Sequence, residues 1–343
     1  MAISLYDTVS LVAMVEQMKP PSSFLLDTFF PGVVTSTTEY VAVDVFVGKR
    51  RMAPFVSPLV EGKFVESLGV TTNQFKPAYL KPKTRLDPFR PIRRMIGEQI
   101  GGQDMSPVER EALNLAAELN GQVMMINRRL EWLAAQAPLN GSVTISGENY
   151  DAQTIAFGRD SSLTIALTGG NRWGQAGILP SENLLDWSAL PLKASGLPVT
   201  DVIFTPAAWK LFRKDTNVVQ VIQSFQNAEP TLRASGVNAQ VGGQYLGKWG
   251  SFNLWLYYDW YIDPTTGTET PMLADGTVLL GSNQLDGTRA FGAIIDPELG
   301  YSQAQYAPKS WTTQDPGARW LMTQSAPLVI PTQVNALLAA TVI

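Results

Sequence analysis

The sequence predicts an α+β protein with a flat, elongated body, and three observations support this fold class. The first is an amphipathic helix over residues 106–136, predicted by its capping residues and apolar spacing and about 46 Å long at 1.5 Å per residue. The second is a basic stretch over residues 48–94 that its prolines keep extended. The third is the alternation of short helices and strands after residue 179. The long helix suits an elongated body better than a compact domain.

Composition removes most catalytic chemistries. The 343 residues carry a net charge of −4, and only 16% of them are charged, against roughly 25% in a typical soluble protein. The chain has no cysteine and no histidine. This excludes thiolate nucleophiles, disulfides, Cys/His zinc sites and acid–base schemes that use imidazole. We therefore expect no metal, no cofactor and no enzymatic activity. The low charge also indicates that part of the surface is an interface.

The N-terminal segment predicts an amphipathic helix over residues 5–19, ended by the Pro-Pro pair at 20–21. Its apolar stripe contains Leu11, Val12 and Val15. The apolar run is too short to span a bilayer, so we expect no membrane contact. The stripe could dock on the body of the same subunit or on a neighbouring subunit, and the sequence leaves both alternatives open.

The basic stretch carries eleven Lys and Arg residues against three acidic ones, a net charge of +8, so the rest of the chain carries −12. Residues 55–60 and 64–68 predict two strands around a short turn, with Lys63 at its tip. A single hairpin is marginally stable in water, so it needs a partner surface. The acidic remainder of a neighbouring subunit is one such surface. Direct DNA recognition is the alternative, but no aromatic or glycine-rich interleaving supports it.

The remaining elements follow in chain order. The long helix begins with a capping box in which Ser106 is the cap, Pro107 the first helical residue and Glu109 the reciprocal partner. Asn140-Gly141 predicts the turn that follows it. The strands predicted beyond this turn cover residues 142–146, 154–156, 163–167, 199–205, 252–262, 278–280, 290–295 and 328–330, with helices over 181–193 and from Thr205 onward.

One pair of carboxylates invites an enzymatic interpretation. Asp259 and Asp263 lie beside Trp255, Tyr257 and Trp260, and two carboxylates on an aromatic platform are typical of glycosidases. The same residues stand at the end of a strand, where Asp favours a turn because its side chain bonds the local backbone. Nothing else in the sequence resembles a catalytic cleft, so we favour the structural interpretation.

Two groups of short motifs carry a family resemblance. They are Phe55–Gly62 (FVSPLVEG), Phe75–Lys83 (FKPAYLKPK), Asp87-Pro88, Pro308–Trp311 (PKSW), Asp315-Pro316, Arg319 and Ser325–Leu328 (SAPL). In order and spacing these motifs resemble the lambda-type major capsid protein family (protein E) of tailed bacteriophages. The order of an arm, a basic loop, a long helix and an α/β body agrees along nearly the whole chain.

The resemblance implies the tailed-phage major capsid fold, in which a long spine helix lies in the P-domain. The expected divisions are an N-terminal arm (1–41), an extended basic E-loop (42–96), the spine helix and P-domain (97–180), an α/β A-domain (181–285) and returning P-domain strands (286–343). The residues expected at contacts between subunits are Leu11, Val12 and Val15 in the arm and Lys49, Arg50, Arg51, Lys63, Lys81, Lys83 and Arg85 in the loop.

The resemblance also implies a function. Hexamers and pentamers of such subunits would form an icosahedral shell around double-stranded DNA, located in the virion and assembled in the host cytoplasm. We expect the partners to be other copies of the chain, a portal, a decoration protein and DNA held by non-specific contacts. No acidic pre-domain precedes the arm, so we also expect a separate scaffolding protein. The alternatives are an encapsulin-like compartment shell and a carbohydrate-active enzyme that uses Asp259 and Asp263.

Overall fold

The computed structural model describes most of the chain. The described residues are 6–18, 23–46, 52–64, 70–86, 106–147, 150–224, 239–240, 242–301, 303–315 and 317–343. The predicted contact residues Lys49, Arg50 and Arg51 lie outside them, as do residues 65–68 of the second predicted strand of the basic loop.

The described residues form helices and strands in nearly equal measure along the chain. The helices are α1 (Thr8–Gln17), α2 (Phe24–Phe29), α3 (Pro107–Asn140), α4 (Pro180–Ser195), α5 (Pro206–Phe212) and α6 (Thr216–Ser224). The strands are β1 (Gly32–Thr35), β2 (Val41–Phe46), β3 (Val70–Phe75), β4 (Lys83–Leu86), β5 (Ser142–Gly147), β6 (Tyr150–Ala156), β7 (Thr164–Ala166), β8 (Asp201–Phe204), β9 (Ala239–Gln240), β10 (Gly243–Trp249), β11 (Phe252–Tyr257), β12 (Trp260–Ile262), β13 (Glu269–Pro271), β14 (Thr277–Gly281), β15 (Thr288–Phe291), β16 (Ala307–Thr313), β17 (Ala318–Gln324), β18 (Pro327–Ile330) and β19 (Leu338–Thr341).

The strands pair into small sheets and one large sheet. The large sheet has seven strands in the order β7-β19-β14-β8-β11-β10-β9, and two three-stranded sheets have the orders β1-β15-β18 and β16-β17-β4. The pairs β2-β3, β5-β6 and β12-β13 are separate two-stranded ladders. Parallel and antiparallel pairs occur in the same large sheet. These mixed sheets with separate helices confirm the predicted α+β class. The predicted domain boundaries stay a prediction. Strand β19, which belongs to the predicted segment 286–343, shares the large sheet with strands of residues 181–285.

Helix α3 is the longest element, with 34 residues, about 51 Å at 1.5 Å per residue. Its capping box is confirmed: the Ser106 side chain accepts from the Glu109 N–H, and the Glu109 carboxylate accepts from the Ser106 N–H at 2.8 Å. The helix continues four residues past the predicted end. Pro138 lies in its last turn, where Arg159 donates hydrogen bonds to the Pro138 and Leu139 carbonyls and so satisfies the free end.

Three apolar clusters hold the described residues together. One lies between α1, the first half of α3 and the sheet that contains β4 and β17. A second lies between α4, α5 and one face of the large sheet. The largest cluster lies on the other face, where α2 and the second half of α3 pack. Strand β8 shows the division, because Val202 and Phe204 belong to the second cluster while Ile203 belongs to the largest one.

A buried carboxylate on α3 joins three elements. Glu131 is nearly inaccessible to solvent, and its two oxygens accept from the backbone N–H groups of Leu25 at 2.9 Å and Leu26 at 3.0 Å. The Tyr257 hydroxyl of β11 donates to the same carboxylate at 3.0 Å. Ser23, the capping residue of α2, makes no side-chain bond to the helix. Glu131 therefore caps α2 from a distant part of the chain.

Two strand predictions are wrong in detail. Residues 55–60 form no strand; a turn closed by the bond from Val60 N to Ser57 O takes their place. The ladder of this loop lies at its base instead, where β2 and β3 pair. The strand predicted over 252–262 is interrupted at Tyr258 and Asp259. The two halves then pair in different sheets, β11 with β8 and β10, and β12 with β13.

Glu131 predicts an unusual dependence of stability on pH. Burial raises the pKa of Glu131 to about 7, against the opposing effect of its hydrogen bonds. In the unfolded chain this pKa is about 4.3. The stabilising contribution is therefore complete below about pH 4.3 and is lost as the pH rises through about 7. The chain has no histidine, so few other groups titrate in this window. We expect the free energy of unfolding to fall by on the order of 1–3 kcal/mol between pH 5 and pH 8.

The measurement is urea unfolding of the full chain at a series of pH values. The control is Glu131→Gln, which cannot ionise, and it should be less stable at every pH with a nearly flat profile between pH 5 and 8. An equal slope in the two proteins would assign the pH dependence to other groups.

Candidate interaction surfaces

The most exposed apolar side chains of the described residues lie together in the basic loop. Met52, Phe55, Leu59 and Phe64 expose 90%, 101%, 95% and 91% of their surface. We call residues 52–64 the apolar loop segment. Burying one such side chain is worth about 1.5–3 kcal/mol, so a segment that leaves four of them in water is typical of a binding surface. Lys63, predicted at the tip of this loop, is also exposed.

The base of this loop is fixed to the body. Strands β2 and β3 pair antiparallel over six residues each, from Val41 opposite Phe75 to Phe46 opposite Val70. Val41 and Phe75 are buried, and the Phe75 ring lies edge-on to the Phe157 ring at 5.8 Å between centroids. The ladder therefore projects the apolar loop segment from an anchored base while the segment itself makes few contacts with its own chain.

The basic residues of β4 form a second exposed surface. Strand β4 is the edge strand of its sheet, and Lys83 and Arg85 are exposed while Leu86 is buried. The Lys83 ammonium lies 4.0 Å from the centre of the Trp320 ring and 5.0 Å from that of Trp311. These aromatic faces hold the ammonium in place while it remains open to solvent. Charged side chains on an edge strand also prevent unintended strand pairing.

Lys81 lies next to this surface. It is exposed, and its ammonium is 4.7 Å from the centre of the Tyr79 ring. Together, Lys81, Lys83 and Arg85 give the sheet edge three positive charges. The structure brings these three predicted contact residues together on one exposed edge, and their contact with another subunit stays a prediction.

The arm helix docks on its own subunit. Leu11 is fully buried and Val15 nearly so, and both pack against Leu115 and Leu119 of α3 in the same cluster. This corrects the expectation that Leu11 and Val15 contact a neighbouring subunit, because their surface is already covered within the chain. Val12 is half-buried on the same helix, and its role at a subunit contact stays a prediction.

The buried carboxylates among the described residues stabilise the fold. Besides Glu131, the buried acidic residues are Asp201, Asp215 and Asp296. Asp201 accepts from the Trp255 indole N–H at 2.8 Å, and Asp215 accepts from the Ser181 N–H at the start of α4 at 2.7 Å. Asp296 forms an ion pair with Lys309 at 3.1 Å. Each of these three carboxylates therefore has a hydrogen-bond or ion-pair partner within the chain. None of them is an unpaired acid in an open cleft.

The candidate glycosidase pair has a structural role as well. Asp259 accepts from the Trp260 N–H at 2.9 Å, and Asp263 accepts from the Thr265 N–H at 2.7 Å. The Thr265 bond lowers the pKa of Asp263, which is opposite to the raised pKa that a general acid needs. Within the described ranges there is no group of three acidic residues that could hold a metal, and no helix suited to cross a membrane.

Comparison with known proteins identifies the family. The model of the phage major capsid protein E family matches residues 7–342. The chain belongs to this family. The major capsid protein of Escherichia phage lambda is 30% identical over 96% of both chains, and that of Escherichia phage N15 is 29% identical over the same shares.

Solved structures agree with this family in their fold. A protein described as a prophage capsid protein from Escherichia coli CFT073 matches over 100% of both chains, with a TM-score of 0.75 and 22% identity. The capsid protein of Ralstonia phage GP4 matches over 94% of this chain and 91% of its own, with a TM-score of 0.52 and 13% identity. The expected tailed-phage capsid fold is therefore confirmed, and the chain is a structural capsid protein of a phage virion.

Sequence reasoning found the loop of this capsid protein but missed its exposed apolar residues. It singled out the basic residues, whereas Phe55, Leu59 and Phe64 have the highest fractional exposure among the apolar side chains of the described residues. A signal was present, because large apolar residues here alternate with prolines in a stretch too extended to form its own core.

We expect the apolar loop segment to be needed for association between subunits but not for folding of the subunit. The triple variant Phe55→Ser, Leu59→Ser and Phe64→Ser should keep its free energy of unfolding within about 0.5 kcal/mol of the unmodified chain, because these side chains are exposed in the monomer. Its self-association should be strongly weakened, because the buried apolar area at the contact is lost. Sedimentation velocity together with urea unfolding measures both effects.

The matched control replaces exposed apolar residues elsewhere, Leu185→Ser and Leu192→Ser on α4. This control tests whether any loss of apolar surface is sufficient to prevent association. If the loop triple variant associates as strongly as the unmodified chain, this segment is not the surface through which subunits bind.

Proposed function

We propose that copies of this capsid protein form hexamers and pentamers that close into an icosahedral shell around double-stranded phage DNA, and that the protein has no enzymatic activity. The exposure of Met52, Phe55, Leu59 and Phe64 is the observation that carries this proposal. A soluble monomer rarely leaves such a set of large apolar side chains in water. The whole-chain similarity to phage major capsid proteins supports the same function.

In this proposal, the loop of one subunit lies on the body of its neighbour. A contact between two different surfaces of identical subunits can repeat around a ring and then across a shell. The basic stretch carries +8 and the remainder −12, so the two surfaces attract each other. The proposed basic contacts are Lys49, Arg50, Arg51, Lys63, Lys81, Lys83 and Arg85, with Val12 of the arm at the same neighbour.

The remaining expectations form part of this proposal. The divisions at residues 1–41, 42–96, 97–180, 181–285 and 286–343 would correspond to the arm, E-loop, spine helix with P-domain, A-domain and returning strands. A separate scaffolding protein would direct the size of the head, a portal would occupy one vertex, and a decoration protein would bind the shell. DNA would be held by non-specific contacts, and assembly would take place in the host cytoplasm.

Negative-stain electron microscopy of the purified protein tests the shell directly. Co-production with the scaffolding protein should give closed, uniform shells, and heads from infected cells should contain DNA. Native heads filled with protein cargo instead of DNA would indicate a compartment shell. The absence of particles, together with glycoside hydrolysis that Asp259→Asn and Asp263→Asn abolish, would favour the enzyme. Uniform shells of native size from this chain alone would contradict the separate scaffolding protein.

Charge reversal tests the contact between subunits. The variant Lys49→Glu, Arg50→Glu and Arg51→Glu should fold normally but fail to form shells, because three attractions become repulsions. A single exposed pair contributes only about 0–1 kcal/mol, so single reversals should have small effects. Electron microscopy at low salt and circular dichroism give the two readouts. A triple variant that assembles normally would favour a loop that faces DNA.

A further inference from the structure

An apolar groove lies along α3, away from the loop and the arm. It has a volume of about 580 Å³, and its floor and walls come from α3 and from the β12–β13 hairpin. Met125 and Ile262, on opposite walls, expose 63% and 65% of their surface. Arg128 donates to the Trp260 carbonyl at 3.0 Å and so ties the hairpin to the helix. The two walls are therefore held in place before anything binds.

The groove extends beyond a single pocket. A second cleft of about 540 Å³ on the other side of Trp132 shares four lining residues with it, which are Arg129, Trp132, Tyr261 and Pro264. The two cavities therefore lie next to each other, with these four residues as a common wall. A surface of this extent can accommodate a segment of polypeptide.

Gly121 at the end of the groove has no packing role within the subunit. A Cβ added to this residue would have no neighbour within 4 Å. Glycine is unfavourable inside a helix, where its cost is normally offset by a close approach of other atoms. No described atom of this chain makes such an approach. The missing side chain leaves space for the backbone of a partner to lie against α3.

The charge of the groove indicates the chemistry of the partner. Arg128 and Arg129 line the first cavity, and among the described residues no acidic side chain lines it. Asp263 lines only the second cleft, where it accepts hydrogen bonds from its own turn. Exposed methionines beside arginine and tryptophan are typical of surfaces that bind amphipathic helices.

We propose that this groove binds an amphipathic helix of a separate polypeptide, with an apolar face toward Met124, Met125 and Ile262 and with carboxylates toward Arg128 and Arg129. The other candidate occupant is the apolar loop segment of a second copy. Residues 52–64 contain one acidic residue, Glu61, and one basic residue, Lys63, and they form no helix, so this segment offers the two arginines no row of carboxylates. The inference goes beyond the shell function and does not depend on it.

The test uses the full chain and two synthetic helical peptides. Both peptides carry leucine at i, i+3, i+4 and i+7, and they differ only in flanking residues, glutamate in one and lysine in the other. Fluorescence anisotropy at physiological salt gives the two dissociation constants. We expect the glutamate peptide to bind at least tenfold more tightly than the lysine peptide. Binding is measured on dispersed subunits, so a failure to form shells would not affect the result.

Substitutions in the groove test whether the peptide binds there. Gly121→Leu should weaken binding of the glutamate peptide at least tenfold because it fills the space above the helix, and Gly121→Ala, which adds only a Cβ, should weaken it less than Gly121→Leu does. Thermal unfolding should show Gly121→Ala at least as stable as the unmodified protein, since its Cβ meets no described atom within 4 Å, and the same measurement on Gly121→Leu shows that this variant is folded. Met125→Glu should reduce the preference for the glutamate peptide at least threefold, because the added carboxylate offsets part of the positive charge of Arg128 and Arg129.

Three results would overturn the proposal. The first is equal binding of the glutamate peptide by Gly121→Leu and the unmodified chain. The second is equal affinity for the two peptides. The third is displacement of the glutamate peptide by a synthetic peptide of residues 52–64, which would assign the groove to a second copy of this chain.

Discussion

The carboxylate of Glu131 connects parts of the chain that are otherwise far apart in sequence. It accepts hydrogen bonds from Leu25 and Leu26 at the start of α2 and from Tyr257 of the large sheet. A helix of six residues is too short to be stable alone, and its own capping residue contributes no side-chain bond. The position of α2 on the body therefore depends on an ionisable group that α3 buries. The Phe24 ring then packs between Trp255 and Tyr257, at 5.0 and 5.7 Å.

Among the described residues, the buried side-chain polar atoms have hydrogen-bond partners except Asn127 Nδ2 and Ser310 Oγ, whereas the projecting loop is largely exposed. The buried acids have donors, and the arm helix covers α3 with its own apolar residues. The loop above β2 and β3 has no such cover. A protein that keeps its polar chemistry inside the core and its apolar surface on a projecting loop is suited to binding copies of itself.

Local signals predicted the elements that depend on nearby residues. Helix α3 was predictable because Ser106 and Glu109 form a capping box and the apolar spacing continues for many turns. Strands such as β4 and β16 were missed, because lysine and proline there give no alternating pattern and pairing with β17 stabilises them. Glu131 could not be assigned, since a glutamate in a helix normally faces water. Its position among Leu130, Leu133 and Ala134 was the only sign of burial, and its partners lie more than 100 residues away.

Strand β19 occupies an inner position of the large sheet, between β7 and β14. It pairs in parallel with β7 and antiparallel with β14, where Thr341 lies opposite Thr277 and Leu338 lies opposite Leu280. A ribosome must therefore synthesise residues 338–341 before β7 can join the sheet at all. Until then the nascent chain holds an incomplete sheet with an open edge on β14. Folding of this body is consequently completed after most of the chain has been translated, and a chain interrupted earlier lacks the strand that links β7 to β14.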